Sequence, residues 1–169
     1  MFPLISTLKL DSASFRYFDD LRRKHFPPER NFIAAHLTMF HNLPGDELMR
    51  ITDDARRICA EFTEFTLVFP EWRSLGKGVA AKVAAPELLN LRAQFAATWN
   101  EHLKPQDRQK FQPHITVQNK VAPDEARALL DKLSGEPLPP NGTAEGVALW
   151  HYLGAEWKLE NEFLFSKSV

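Results

Sequence analysis

Ala34-Ala35-His36-Leu37-Thr38-Met39-Phe40 and Gln112-Pro113-His114-Ile115-Thr116-Val117-Gln118 are the two stretches on which the reading of this chain turns. Each reads as a strand, predicted over Asn31–Phe40 and Phe111–Lys120. Side chains alternate across a strand, so His36 and Thr38 share one face, and His114 and Thr116 share another. Leu37, Met39, Ile115 and Val117 then point the opposite way and supply core. The same parity puts Phe40 beside His36 and Thr38, and Gln112 and Gln118 beside His114 and Thr116. His41 is an odd number of positions from His36, so it falls on the other face and outside any shared metal site.

Working outward, Leu4–Leu10 reads as a strand, and Asp11, Ser12 and Ser14 offer cap oxygens to a helix. Its apolar residues Phe15, Phe18, Leu21 and Phe26 recur at helical spacing until Pro27-Pro28 stops it. A second helix carries Leu48, Ile51, Ala55, Ile58, Cys59 and Phe62 on one stripe, which makes Cys59 a small buried hydrophobe rather than a reactive thiol. Phe65, Leu67 and Phe69 alternate as a strand, and Ser74–Gly78 is a turn into a strand at Val79–Ala84. Pro86 opens a helix with Leu88, Leu91, Phe95, Trp99 and Leu103 inward. A polar loop covers Lys104–Lys110, and Pro123–Leu133 is a short helix. Val147–Leu153 and Trp157–Phe165 flank Gly154-Ala155-Glu156 as a hairpin. Strand-then-helix succession appears in each half of the chain, which predicts an α+β fold with two similar lobes in a single domain, residues 1–169.

Composition bounds the partners. The 169 residues carry 21 Lys plus Arg against 22 Asp plus Glu, a formal charge of −1, with 44% hydrophobic residues. That balance excludes a protein built to grip long duplex nucleic acid, where many phosphates must be neutralised. It leaves room for a ligand with one or two phosphates. A single cysteine excludes an internal disulfide and a multi-cysteine zinc site. The N-terminus lacks the pattern of a signal peptide and no apolar run reaches the length of a membrane span, so a cytoplasmic protein without membrane contact is expected.

The doubled His-x-Thr pattern suits phosphodiester chemistry. Cleavage by water needs one group to accept a proton from the nucleophile and another to give one to the leaving alkoxide. Imidazole, with an ordinary pKa near 6.5, does either near neutrality. A hydroxyl two residues along donates a hydrogen bond to a non-bridging phosphate oxygen. A lone histidine in a strand is usually a hydrogen-bonded structural residue, but a copy in each half of the chain favours the chemical reading. Lys77, between two glycines, is a candidate source of positive charge, with Arg73 and Arg108 behind it. Phe40 or Tyr152 is a candidate for stacking a base, and Gln112 or Gln118 for reaching a phosphate or base edge.

His36-Leu37-Thr38-Met39 and His114-Ile115-Thr116-Val117 together resemble the paired motifs of the 2H phosphoesterase superfamily, the group of RNA 2′-5′ ligase-like proteins and cyclic phosphodiesterases. Leu75–Ala80, Gln106-Asp107-Arg108, Pro113 and Tyr152–Trp157 add to the resemblance, which spans most of the chain in order. It implies two lobes related by a pseudo-twofold, each an antiparallel sheet with helices outside, and a central cleft holding both motifs. It also implies hydrolysis of 2′,3′-cyclic phosphodiesters on RNA ends or small nucleotides, with ligation as the reverse reaction; a monomer that works without metal or other cofactor is expected. His36, Thr38, His114 and Thr116 are then the catalytic set, with His36 the proton donor and His114 the acceptor. The alternative, a non-catalytic module binding RNA ends or nucleotides, has no use for two titratable bases.

Overall fold

The two decisive strands lie in different sheets. The computed structural model describes residues 1–167. In chain order the elements are β1 (Leu4–Leu10), α1 (Ser12–His25), β2 (Leu37–Leu43), α2 (Leu48–Cys59), β3 (Phe65–Leu67), β4 (Trp72–Ser74) and β5 (Val79–Lys82), then α3 (Pro86–Thr98), α4 (Pro105–Arg108), β6 (His114–Gln118), α5 (Pro123–Ser134), β7 (Gly142–Tyr152) and β8 (Trp157–Leu164). One sheet runs β2-β1-β7-β3, with β8 also paired to β7; the other runs β4-β5-β6. Every pairing between these strands is antiparallel. With helices flanking both sheets, this is the expected α+β class.

Local chemistry explains the punctuation. The Asp11 carboxylate accepts from Ser14 N at 2.9 Å and from Thr143 N at 2.7 Å, so one side chain caps α1 and ties it to β7. Proline occupies the first position of α3 and of α5, where its missing N–H costs no helical bond. The turn before β5 needs both its glycines. Gly76 has φ +81°, and a Cβ on Gly78 would collide with the Gln118 carbonyl.

The buried side belongs to the residues that alternation assigns to it. Leu37, Met39, Ile115 and Val117 are 0–1% exposed and join one apolar cluster with Leu88, Leu91, Phe95 and Trp99 of the α3 region. Cys59 is buried there too, and burial pushes its thiol up to about 12, so it is inert at neutral pH.

Four expectations need correction. The strand predicted over Asn31–Phe40 begins only at Leu37 and extends to Leu43. The preceding segment satisfies polar groups on α1 instead. Ala35 N donates to Asp19 at 2.9 Å, and Asn31 Oδ1 accepts from Arg22 Nε at 2.9 Å. Helix α1 is also rotated from its apolar stripe: Phe18, Asp19 and Arg22 are buried while Phe15 is 39% exposed. The residue pattern gives no sign of the short strand β4. The polar loop after Leu103 contains α4.

Candidate active site

Each motif strand breaks register directly after its threonine. In β2, Thr38 pairs with Thr7 but Phe40 pairs with Ser6, so Met39 is an extra residue. In β6, Thr116 pairs with Ala80 but Gln118 pairs with Val79, so Val117 is extra. A bulge of this kind shifts the following residues to the opposite face. Phe40 therefore turns into the core, fully buried against Phe95 and Trp99. Gln118 turns inward to 2% exposure, and its Oε1 has no hydrogen-bond partner among the described residues. Neither is placed to meet a ligand, which corrects the parity argument for both. The same shift brings His41 onto the face of Thr38.

The two histidines are anchored alike. His36 Nδ1 donates to Ala34 O at 2.8 Å, and His114 Nδ1 donates to Gln112 O at 2.8 Å. A carbonyl can only accept, so Nδ1 carries the hydrogen in each ring and Nε2 is left for chemistry. His36, Thr38, His114 and Thr116 are all half-buried. Buried arginines brace both strands. Arg22 Nη1 of α1 donates to Thr116 O at 3.1 Å, and Arg92 Nε of α3 donates to Met39 O at 2.8 Å. Each guanidinium also covers a ring, Phe26 for Arg22 and Phe40 for Arg92. On a helical wheel these arginines look like solvated charges, and only the fold reveals their reach.

A cavity of about 470 Å³ joins the two sheets, lined by Thr38, His41, Arg73, Lys110, Gln112 and His114 among others. Its lining holds an imidazole–carboxylate pair. Asp107, 2% exposed, accepts from His41 Nδ1 at 2.9 Å and from the backbone N–H groups of His41 and Asn42. Burial pushes this carboxyl up, but those donors outweigh it and hold its pKa below the ordinary range. A second pocket of about 280 Å³ lies against His36, walled by Phe15, Phe32, Trp150 and Trp157. Trp157 stands 4.6 Å from the His36 ring, centroid to centroid.

Of the expected residues, Thr38, His114 and Gln112 share the large cavity, while His36 lines the neighbouring aromatic pocket. Thr116 is half-buried on β6. Lys77 is exposed in its turn and Tyr152 is 38% exposed at the end of β7; neither lines these cavities. Arg73 does line the large one, and its Nη1 donates to Gln112 Oε1 at 3.2 Å. Arg108 instead braces the α3–α4 connection through Leu103 O and Asn100. His151 Nε2 on β7 is hydrogen-bonded to Glu160 Oε2 on β8 at 2.7 Å. The residues that escaped the sequence reading are His41, Arg22, Arg92, Phe15, Phe32, Trp150 and Trp157.

Electrostatics separate the two rings. Desolvation pushes His36 down to about 4, opposed by its bond to Ala34 O and helped by the nearby charges of Arg22, His114 and His41. Desolvation also lowers His114, with Arg73 and His41 adding to the effect. The influence of His114 on His36 places both rings in one electrostatic environment. A site that discourages protons on both imidazoles is prepared for an anion, which would restore one. Among the described residues no cluster of three or more His, Cys, Asp or Glu is set to hold a metal ion, and no helix is long and apolar enough to cross a membrane.

Comparison with known proteins gives one family and one fold. A sequence model described as the 2′-5′ RNA ligase superfamily matches residues 10–156. No curated protein matches the chain. Among solved structures, TT0787 of Thermus thermophilus superposes with a TM-score of 0.71 at 18% identity, covering 99% of this chain and 100% of that one. LigT of E. coli in apo form gives 0.64 at 16% identity, and LigT complexed with 3′-AMP gives 0.63 at 17%, each covering 98% of both chains.

Proposed function

The chain belongs to the 2′-5′ RNA ligase superfamily of 2H phosphoesterases, and from that premise we propose that it hydrolyses 2′,3′-cyclic phosphodiesters on RNA ends or small nucleotides by paired histidine catalysis. The observation that carries this reading is the matched anchoring of the rings: each Nδ1 is tied to the carbonyl two residues before it, leaving two Nε2 atoms for proton transfer. The crystal structure of LigT with 3′-AMP, a nucleoside monoester, supports the same ligand class for this chain.

In the hydrolytic step, one neutral imidazole takes a proton from water as its oxygen bonds to phosphorus. The bond from phosphorus to one ribose oxygen breaks, and the other imidazole gives that oxygen a proton. One water is consumed, one hydroxyl is freed, and a phosphomonoester remains. Thr38 and Thr116 donate to the non-bridging oxygens, where negative charge is held in the transition state. The imidazole pair supplies both proton transfers without calling on a metal. The nucleobase stacks in the aromatic pocket beside His36, a task that Phe15, Phe32 and Trp157 take over from the buried Phe40. We extend the reading to the architecture: the shared anchors, bulges and bracing arginines fit two lobes related by a pseudo-twofold.

The test is turnover of nucleoside 2′,3′-cyclic phosphates with excess chelator present. Turnover that survives the chelator and is lost in both His36→Ala and His114→Ala is the expected result. Binding without turnover at any pH supports a nucleotide-binding module instead.

A further inference from the structure

The large cavity holds more positive charge than one cyclic phosphate requires. Arg73, Arg92 and Lys110 line it, and Asp107 is its only acidic residue. That carboxylate is already engaged by the His41 ring and by two backbone N–H groups. Arg92 is committed to Met39 O and Asp107 O. Arg73 has only the neutral Gln112 as partner, and Lys110, exposed, has none among the described residues. In a chain of net charge −1, two unneutralised cations facing one cavity form a local anion site. His41 adds a directed donor or acceptor, because Asp107 occupies Nδ1 and leaves Nε2 as its free ring nitrogen.

We propose that Arg73, Lys110 and His41 form a second phosphate subsite, which makes the preferred substrate a cyclic phosphate whose nucleoside carries another phosphate on its 5′ side: a 5′-phosphorylated nucleotide or the end of an RNA strand. This rests on the function proposed above and narrows it. The cavity is lined by Thr38 and His114, the aromatic pocket by His36, and the two share no lining residue. The base then lies against the tryptophans while the 5′ phosphate reaches the cations. Charge-assisted hydrogen bonds to a phosphate favour the doubly phosphorylated ligand by about 10- to 100-fold.

Two measurements test it. Calorimetry compares adenosine 3′,5′-bisphosphate with adenosine 3′-phosphate, and kinetics compare adenosine 2′,3′-cyclic phosphate with and without a 5′ phosphate. The wild type is expected to favour the bisphosphate and the 5′-phosphorylated substrate by that margin, and both ratios are expected to approach one in the double variant Arg73→Gln, Lys110→Gln. Lys110 is exposed, and half-buried Arg73 makes its one side-chain hydrogen bond to Gln112, so the fold tolerates these changes. Equal affinities in the wild type, or a preference that persists in the double variant, overturns the subsite. If the wild type turns over neither cyclic compound yet still prefers the bisphosphate, the phosphodiesterase reading fails and the subsite stands. If turnover occurs with a ratio of one, the reverse holds.

Discussion

At the β2 motif the imidazole sits against an indole, beside a pocket walled by four aromatic rings. At the β6 motif the ring faces a polar cavity with a guanidinium near enough to lower its pKa. The two sites share a backbone pattern: one carbonyl anchor, one threonine, a bulge directly after it, and one buried arginine from a helix. The difference lies in the walls, and it shows how one local motif yields two unlike proton carriers. Desolvation is the largest influence on both rings, but the neighbouring guanidinium that adds to it differs, Arg22 for His36 and Arg73 for His114.

The sharpest way to break the comparison is to remove each ring in turn. His36→Ala and His114→Ala are each expected to lower kcat by about 10²–10⁴-fold, the usual contribution of a general acid or base. A large loss at only one position, measured with the same cyclic substrate, would reduce the pair to a single catalytic group. The hydroxyls come next. Thr38→Val and Thr116→Val are each expected to lower kcat by about a hundredfold, the scale of one transition-state donor, with little change in KM. Unequal losses would show which strand carries more of the developing charge.

The pH profile sharpens the contrast without removing either ring. With one imidazole free and the other protonated, kcat/KM follows a bell. Its lower edge is set by the ring at about 4 and its upper edge by His114, itself below the ordinary 6.5, so the optimum lies on the acid side of 6.5. Trp157→Ala relieves the desolvation of His36 and should move the lower edge upward, leaving the upper edge in place. A flat profile from pH 5 to 8 would contradict the mechanism.

The smallest expected effect is on stability. His36 titrates near 4 in the folded chain and near 6.5 when unfolded, so between those values the unfolded chain binds more protons. Stability therefore declines as pH falls from about 6.5 towards 4. His36→Gln should flatten this part of the urea-midpoint profile more than His114→Gln does.

What could be read from residues alone ended where the strands stopped being regular. Alternation placed Leu37, Thr38, Ile115 and Thr116 correctly because it is a local property of the pleat. It failed at Phe40, Gln118 and His41 because nothing in Met39 or Val117 announces an extra residue in the ladder. Bonds between distant parts of the chain were equally invisible: Asp107 lies 66 positions from His41, and Arg22 meets a carbonyl 94 positions away. Residue type even misled at α1, where Phe15 faces a pocket and a charged neighbour is buried in its place.

The bulges have a consequence for protein design. Grafting His-x-Thr onto an ideal, unbroken strand would transplant the reactive atoms but scramble everything downstream of them. The residue two places after threonine would then project beside the hydroxyl, and the one after it would be sealed away. In this chain that means a benzyl group blocking the mouth of the site and an imidazole stranded in oil. A working copy must carry the supernumerary methionine or valine along with the motif it follows.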